Sequence, residues 1–226
     1  MSSKIKVDTI ENVAGSGNVS LGSGHNLVVP GTVSITGEST LTGGAKVNTI
    51  KHTGGTSAMT INSSGDVIET NYNIDQWRLT NTFNTNNAVI SGTWARPNDA
   101  SYGRIGTGMT ESSGVFTFPI TGLWLVTTNF QISVRGADDL AGYYVQVSTD
   151  SGNTSDIVAS AYESNRVSGQ DGRGGTATMN LINVTNASTF QVFFKTSSIG
   201  STDTQIRGAI NENQTMVTFE RKGPSQ

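Results

Sequence analysis

The chain of 226 residues contains no cysteine. That excludes a disulfide framework and any thiolate metal site. Proline is scarce, at 4, and histidine scarcer, at 2. The two histidines, His25 and His52, both lie away from any aromatic-rich stretch, so neither a Ser-His-Asp triad nor a histidine zinc site is supported. Charged residues make up only 14 % of the chain, with a formal net charge of −3. Such a balance offers no basic footprint for nucleic acid. No stretch approaches the ~18–20 apolar residues of a membrane-spanning helix. The start, Met1 to Ile10, has neither the apolar core nor the small-residue cleavage site of a signal peptide. The expected protein enters no membrane and is made in the cytoplasm without an export signal.

Another absence divides the chain. All 16 aromatic residues fall between Tyr72 and Phe219, and residues 1–70 have none. Aromatic side chains carry the largest apolar area per residue in a core. A 70-residue segment without them is a poor candidate for an independent core, whereas the remainder suits one ordinary β domain. What the chain has in plenty is Thr 31, Gly 27, Ser 26 and Asn 20. With the β-branched excess, this is a strand-and-turn composition and excludes a helical bundle.

The aromatic-free segment repeats itself. Lys6-Val7-Asp8-Thr9-Ile10 returns as Lys46-Val47-Asn48-Thr49-Ile50. Between the copies runs a finer period of six, with Val29, Ile35, Leu41 and Val47 apolar and Gly31, Gly37 and Gly43 following the first three. Regular hexads with one inward apolar position are a signature of short strands joined by tight bends, as in β-helical shafts. Three hexads bury little in one chain. Three chains wound together would bury the stripe and leave no open edge. A flexible Gly/Ser/Thr linker is the plain alternative, and the regular spacing favours the shaft.

Residues 71–101 read as a neck, with Trp77, Phe83 and Trp94 set among Asn and Thr. From residue 102 to 226 strand runs alternate with turns. The runs are Val115–Phe118, Leu123–Val134, Tyr143–Ser148, Ile157–Tyr162, Thr176–Val184, Phe190–Thr196, Gln205–Ile210 and Met216–Arg221. Eight short strands in this length predict an antiparallel jelly roll or related sandwich.

The stretch Gly114-Val115-Phe116-Thr117-Phe118-Pro119-Ile120-Thr121-Gly122-Leu123-Trp124-Leu125-Val126 resembles the central signature of the complement/tumour-necrosis-factor head family. Trp124 and Val126 stand where that family usually has Tyr and Phe. The runs Thr189 to Phe194 and Met216 to Gly223 are similar to its late strands. The resemblance covers roughly residues 100–223 and implies a ten-strand jelly roll assembling as a tight trimer, with aromatics along the threefold axis. The arm, through Lys6 to Ile10 and the runs Gly31 to Gly37 and Ser39 to Gly44, is similar to bacteriophage virion projections such as tail fibres and capsid-decorating spikes.

These readings converge on an all-β, trimeric protein. An N-terminal extended β arm or short β-helical shaft (1–70) leads through a neck (71–101) to a C-terminal jelly-roll sandwich (102–226). Its expected role is a structural, non-enzymatic virion projection, a capsid-decorating spike or short tail fibre on the virion surface. Its expected partners are two further copies of itself and a capsid or tail protein. Ile5, Val7 and Ile10 alternate and form the expected docking strand. Val29, Ile35, Leu41 and Val47 form the expected shaft core. Phe116, Phe118, Trp124, Tyr144, Phe193 and Phe219 are expected in the head core or its trimer interface, because aromatic pairs such as Tyr143-Tyr144 and Phe193-Phe194 place a ring on each face of a strand. The Gly169–Gly175 stretch reads as a mobile loop in which Asn165, Arg166, Asp171 and Arg173 suit contact with a host-surface glycan. A glycan-binding adhesin is therefore the alternative function. Asp138-Asp139 reads as a solvated loop, and Ser148 to Thr154, although similar to the Asp-box of sialidases, reads as a hairpin turn. No cofactor is implied.

Overall fold

The computed structural model describes residues 28–30, 32–33, 46–47, 49–51, 57–69, 71–91, 93–164 and 171–226. The chain divides into two units, residues 1–46 and 47–226. Ile5, Val7, Ile10, Ile35, Leu41, Asn165, Arg166 and both histidines lie outside the described residues. Of the hexad stripe, Val29 and Val47 are described, each 40 % exposed in the single chain.

The second unit opens with a three-stranded antiparallel meander: β1 (Thr49–Lys51), β2 (Ser57–Ile61) and β3 (Val67–Glu69). Its second turn is tied by Asn62, whose Oδ1 accepts from the N–H groups of Ser64 and Asp66 at 2.9 Å each. Short polar side chains that capture nearby backbone donors favour such turns.

The rest is an all-β sandwich. One sheet has five strands in the order β10-β9-β12-β7-β6: β6 (Thr110–Ser112), β7 (Val115–Thr117), β9 (Leu140–Ser148), β10 (Asp156–Ser164) and β12 (Gln191–Ser197). The other runs β11-β8-β14-β4-β5: β4 (Ile74–Leu79), β5 (Trp94–Ala95), β8 (Gly122–Val134), β11 (Gly172–Val184) and β14 (Met216–Gly223), with β13 (Gln205–Ile206) pairing one end of β8. All pairings are antiparallel, and sequence neighbours repeatedly fall in different sheets, which is the jelly-roll wiring. All eight expected head strands are present.

Residues 71–101, read above as a neck, lie within the sandwich. β4 pairs with β14, matching Trp77 to Val217, and Trp77, Leu79, Ile90 and Trp94 are core residues. The physical reason is their bulk, since such large apolar side chains find enough partners only between the sheets. Trp94 meets Phe116 edge-on at 5.5 Å, Trp77 does the same at 5.5 Å, and Phe130 stacks on Tyr143 at 4.0 Å. Gly172 to Gly175, read as loop, are the first four residues of β11 and pair with Val134 to Gln131. The missing side chain at Gly174 leaves room for the Glu163 carboxylate.

Strand β8 shows the period-two logic most clearly. Trp124, Val126, Phe130, Ile132 and Val134 are buried, while Leu123, Leu125, Thr127 and Asn129 face out. Between β6 and β7 the chain reverses through Ser113 (φ 54) and Gly114 (φ 85), the two-residue turn whose twist matches a hairpin. A Cβ at Gly114 would collide with the Ile90 carbonyl.

Candidate interaction surfaces

Of the expected head residues, Phe116, Phe118, Trp124 and Phe219 are buried between the sheets of a single chain. Tyr144 and Phe193 take the opposite course. Their neighbours Tyr143 and Phe194 enter the core, which turns both rings onto the outer face of the five-stranded sheet, half-buried.

A second apolar surface lies elsewhere, on the outer face of the six-stranded sheet. Ladder register aligns Leu181, Leu125, Glu220 and Ile74 in one row, and Met179, Thr127, Thr218 and Gln76 in the next. Residues directly opposite share a face and touch. Met179 is 71 % exposed and Leu181 64 %, although Ile182 and Val184 on the same strand are buried. Large apolar side chains side by side in water mark a surface for association. Nothing in the aromatic count points to these aliphatic residues. Their sequence signal is the alternation of β11, where Met179 and Leu181 occupy the positions that should be polar on a solvated face.

Beside this face lies a groove of about 290 Å³, floored by Ile74, Gln76 and Thr218 and walled by Pro97 and Tyr102. Its wall is held by a buried carboxylate. Asp75 is fully buried on β4. Its Oδ1 accepts from Arg96 Nε at 2.9 Å and the Tyr102 hydroxyl at 3.0 Å. Its Oδ2 accepts from Arg96 Nη2 at 2.8 Å, Trp77 Nε1 at 2.9 Å and the Met109 N–H at 2.8 Å. The guanidinium also lies 4.2 Å from the Trp77 ring centroid. The hydrogen bond to Asp75 raises the Arg96 pKa above its ordinary value, against the opposing effect of burial. Burial, and then the Asp75 charge, push the Tyr102 phenol up. Five donors on one carboxylate make a saturated structural knot with no lone pair left for chemistry.

On the five-stranded sheet Tyr144 and Tyr162 meet edge-on at 6.2 Å. The Ser197 hydroxyl donates to Tyr144 Oη at 3.1 Å and lies 3.3 Å from Tyr162 Oη. Those hydroxyl contacts, with Lys195 nearby, lower the Tyr144 pKa, while burial raises that of Tyr162. Gly142, opposite Tyr162, has no side chain to lift the ring off the sheet.

The expected ligand loop is only partly described. Asp171 pairs with Arg135 at 3.2 Å, and Arg173 lies exposed on β11, on the face shared with Met179 and Leu181. Asp138 accepts from the N–H groups of Gly200 and Ser201 and staples two loops. Asp150 accepts from the N–H and hydroxyl of Thr154, at 2.9 and 2.7 Å, which hold its carboxyl below the usual range in the β9–β10 hairpin turn. Among the described residues no cluster of three or more His, Asp or Glu is arranged to hold a metal.

The sandwich is similar to solved structures. Eiger TNF from S. frugiperda aligns at a TM-score of 0.50 and 8 % identity, over 69 % of this chain and 95 % of that one. Murine APRIL at pH 8.0 aligns at 0.47 and 10 %, over 66 % and 98 %. The likeness to Eiger is one of fold, a tumour-necrosis-factor-like jelly roll. No family model matches the sequence, and no curated protein sequence matches it.

Proposed function

We propose that this protein is a non-enzymatic structural projection of a bacteriophage particle. It works as a homotrimer, with the N-terminal arm fixed to a capsid or tail protein and the jelly-roll head outward. The observation that carries the reading is the open aliphatic face of the six-stranded sheet, Met179, Leu181 and Leu125, on a sandwich whose own core is already filled. A filled core has no further use for these side chains, so a second copy of the chain is the natural cover. The resemblance of the arm to virion projections supplies the location. Three heads on one stalk would raise avidity for any weak ligand without new contacts.

Two measurements test it. Native mass spectrometry at micromolar concentration should give the mass of three chains; a monomer would sink the assembly. Gold-labelled antibodies against the head should decorate intact particles under the electron microscope, and bare particles would remove the location.

The glycan-binding alternative has its own support in the outer face of the five-stranded sheet. Tyr162 is 41 % exposed there, beside Tyr144 and the Ser197 hydroxyl. Rings flanked by hydroxyl groups suit the apolar faces and hydroxyls of a sugar. Glycan-array binding lost on Tyr162→Ala would move the weight to an adhesin.

A further inference from the structure

The meander that precedes the sandwich leaves one face apolar and uncovered among the described residues. Register places Ile50 beside Met59, and Ile61 beside Val67, on the same side of β2. Ile50 is 47 % and Val67 58 % exposed. The opposite side carries Thr49 and Thr60 with Ile68. Three strands of three to five residues are marginal even when their apolar face is packed. Among the described residues both edges, β1 and β3, are also unpaired beyond β2.

We propose that three copies of this meander close side by side into a nine-stranded collar at the base of the heads, with Ile50, Met59, Ile61 and Val67 filling its lumen. The proposal rests on the trimer reading above. Three observations favour further copies of this chain over any other occupant. First, the two edges are complementary in charge. Lys51 ends β1, while Asp66 precedes β3 and Glu69 ends it. None of the three forms an ion pair among the described residues. Unlike edges that match one another are what a head-to-tail ring requires.

Second, the levels match. β1 and β3 run in the same direction, and the row Ile50–Met59–Glu69 sets Ile50 and Glu69 at one level on the inward face. A threefold axis relates the three copies at one height, so the β1 edge of each meets the β3 edge of the next. Third, the size fits. A barrel of about eight strands is wide enough for its own side chains to fill, and nine strands supply twelve apolar side chains from the four inward positions of each copy. Glu69 shares the inward face but stands at the last residue of its strand, at the mouth. The collar also continues the assembly already read from the head: β3 is followed closely by β4, whose Ile74 lies in the row with Leu125 and Leu181.

The absence of cysteine makes the test clean. The double variant Ile50→Cys/Glu69→Cys puts one thiol on each edge, both on the inward face and in the same ladder row, and a disulfide forms only between Cα atoms within about 7 Å. Mild oxidation of the full chain at low concentration should turn more than half of it into a covalent trimer on a denaturing gel, with no larger species. The outward variant Ile68→Cys should stay single. Native mass is read on the same samples. A three-chain mass with unlinked thiols overturns the collar and leaves the trimer standing, and a free, rapidly titrating thiol in Val67→Cys would then assign the face to an outside partner. A ladder running past three chains overturns the closed ring. A monomeric wild type removes both readings.

Discussion

Asp75 shows how a single residue decides a region. A carboxylate with five donors has no cheaper state in the folded chain, and removing it strands Arg96 and the Met109 N–H. Breaking a buried charge pair by deleting one partner costs about 3–5 kcal/mol. Arg96 is partly solvated, so Asp75→Ala should cost about 3 kcal/mol by urea unfolding. Gly114 acts through its backbone alone. Gly114→Ala should cost about 1–3 kcal/mol, because the new side chain meets both the positive φ and the Ile90 carbonyl. Tyr143 gives a pH signature. Burial raises its pKa above the ordinary 10.0, against hydrogen bonds from the Thr128 and neighbouring hydroxyls. The folded state therefore keeps the proton longer than the unfolded chain does. Its contribution is complete below the unfolded value and is lost as pH rises from about 10 through the folded value. Tyr102 has the same sign. Tyr143→Phe should cost about 1 kcal/mol at neutral pH, through the lost 2.6 Å contact to Thr128. It should also flatten the fall in urea midpoint between about pH 9 and about pH 11.

At the scale of elements, β11 carries the functional proposal. Its inner positions Ile182 and Val184 belong to the core and its outer positions Met179 and Leu181 do not. Met179→Asp/Leu181→Asp should therefore dissociate the assembly to single chains by light scattering while the far-ultraviolet circular dichroism stays that of a β-sheet protein. An unfolded double variant would show instead that these residues support the fold itself. The eight head strands were legible because alternation of buried and exposed positions is a local signal: Phe116, Trp124 and Phe219 announce their strands. β6 was not, being three polar residues, Thr110–Ser112, held only by the turn at Ser113-Gly114 and the ladder to β7. β4 reads as a neck, and β5 beside it, because the β4 partner β14 lies at the far end of the sequence, and no local pattern encodes a pairing across 140 residues, the separation of Gln76 and Met216. The association face escaped notice for a related reason. A Met or Leu at an outward position looks like any exposed aliphatic until register sets it beside Leu125 from another strand.

The sandwich has a core of its own, and the short meander before it has none among the described residues. The aromatics complete the sandwich within each chain, so the head should stay folded alone, while in the proposed trimer the meander gains its cover from other chains. Two kinds of stability follow, one intrinsic and one set by mass action. For a three-chain assembly each tenfold rise in concentration adds about 1 kcal/mol per chain to the folded side. In a domain of this size that raises the thermal midpoint by about 2–4 °C. Scanning calorimetry of the full chain across a hundredfold dilution, two such steps, should show a shift of about 4–8 °C for the wild type. Met179→Asp/Leu181→Asp should melt lower and independently of concentration. A wild-type midpoint that does not move on dilution, with reversible scans, would mean that the chains do not hold one another up and that the open face of β11 serves something other than a further copy.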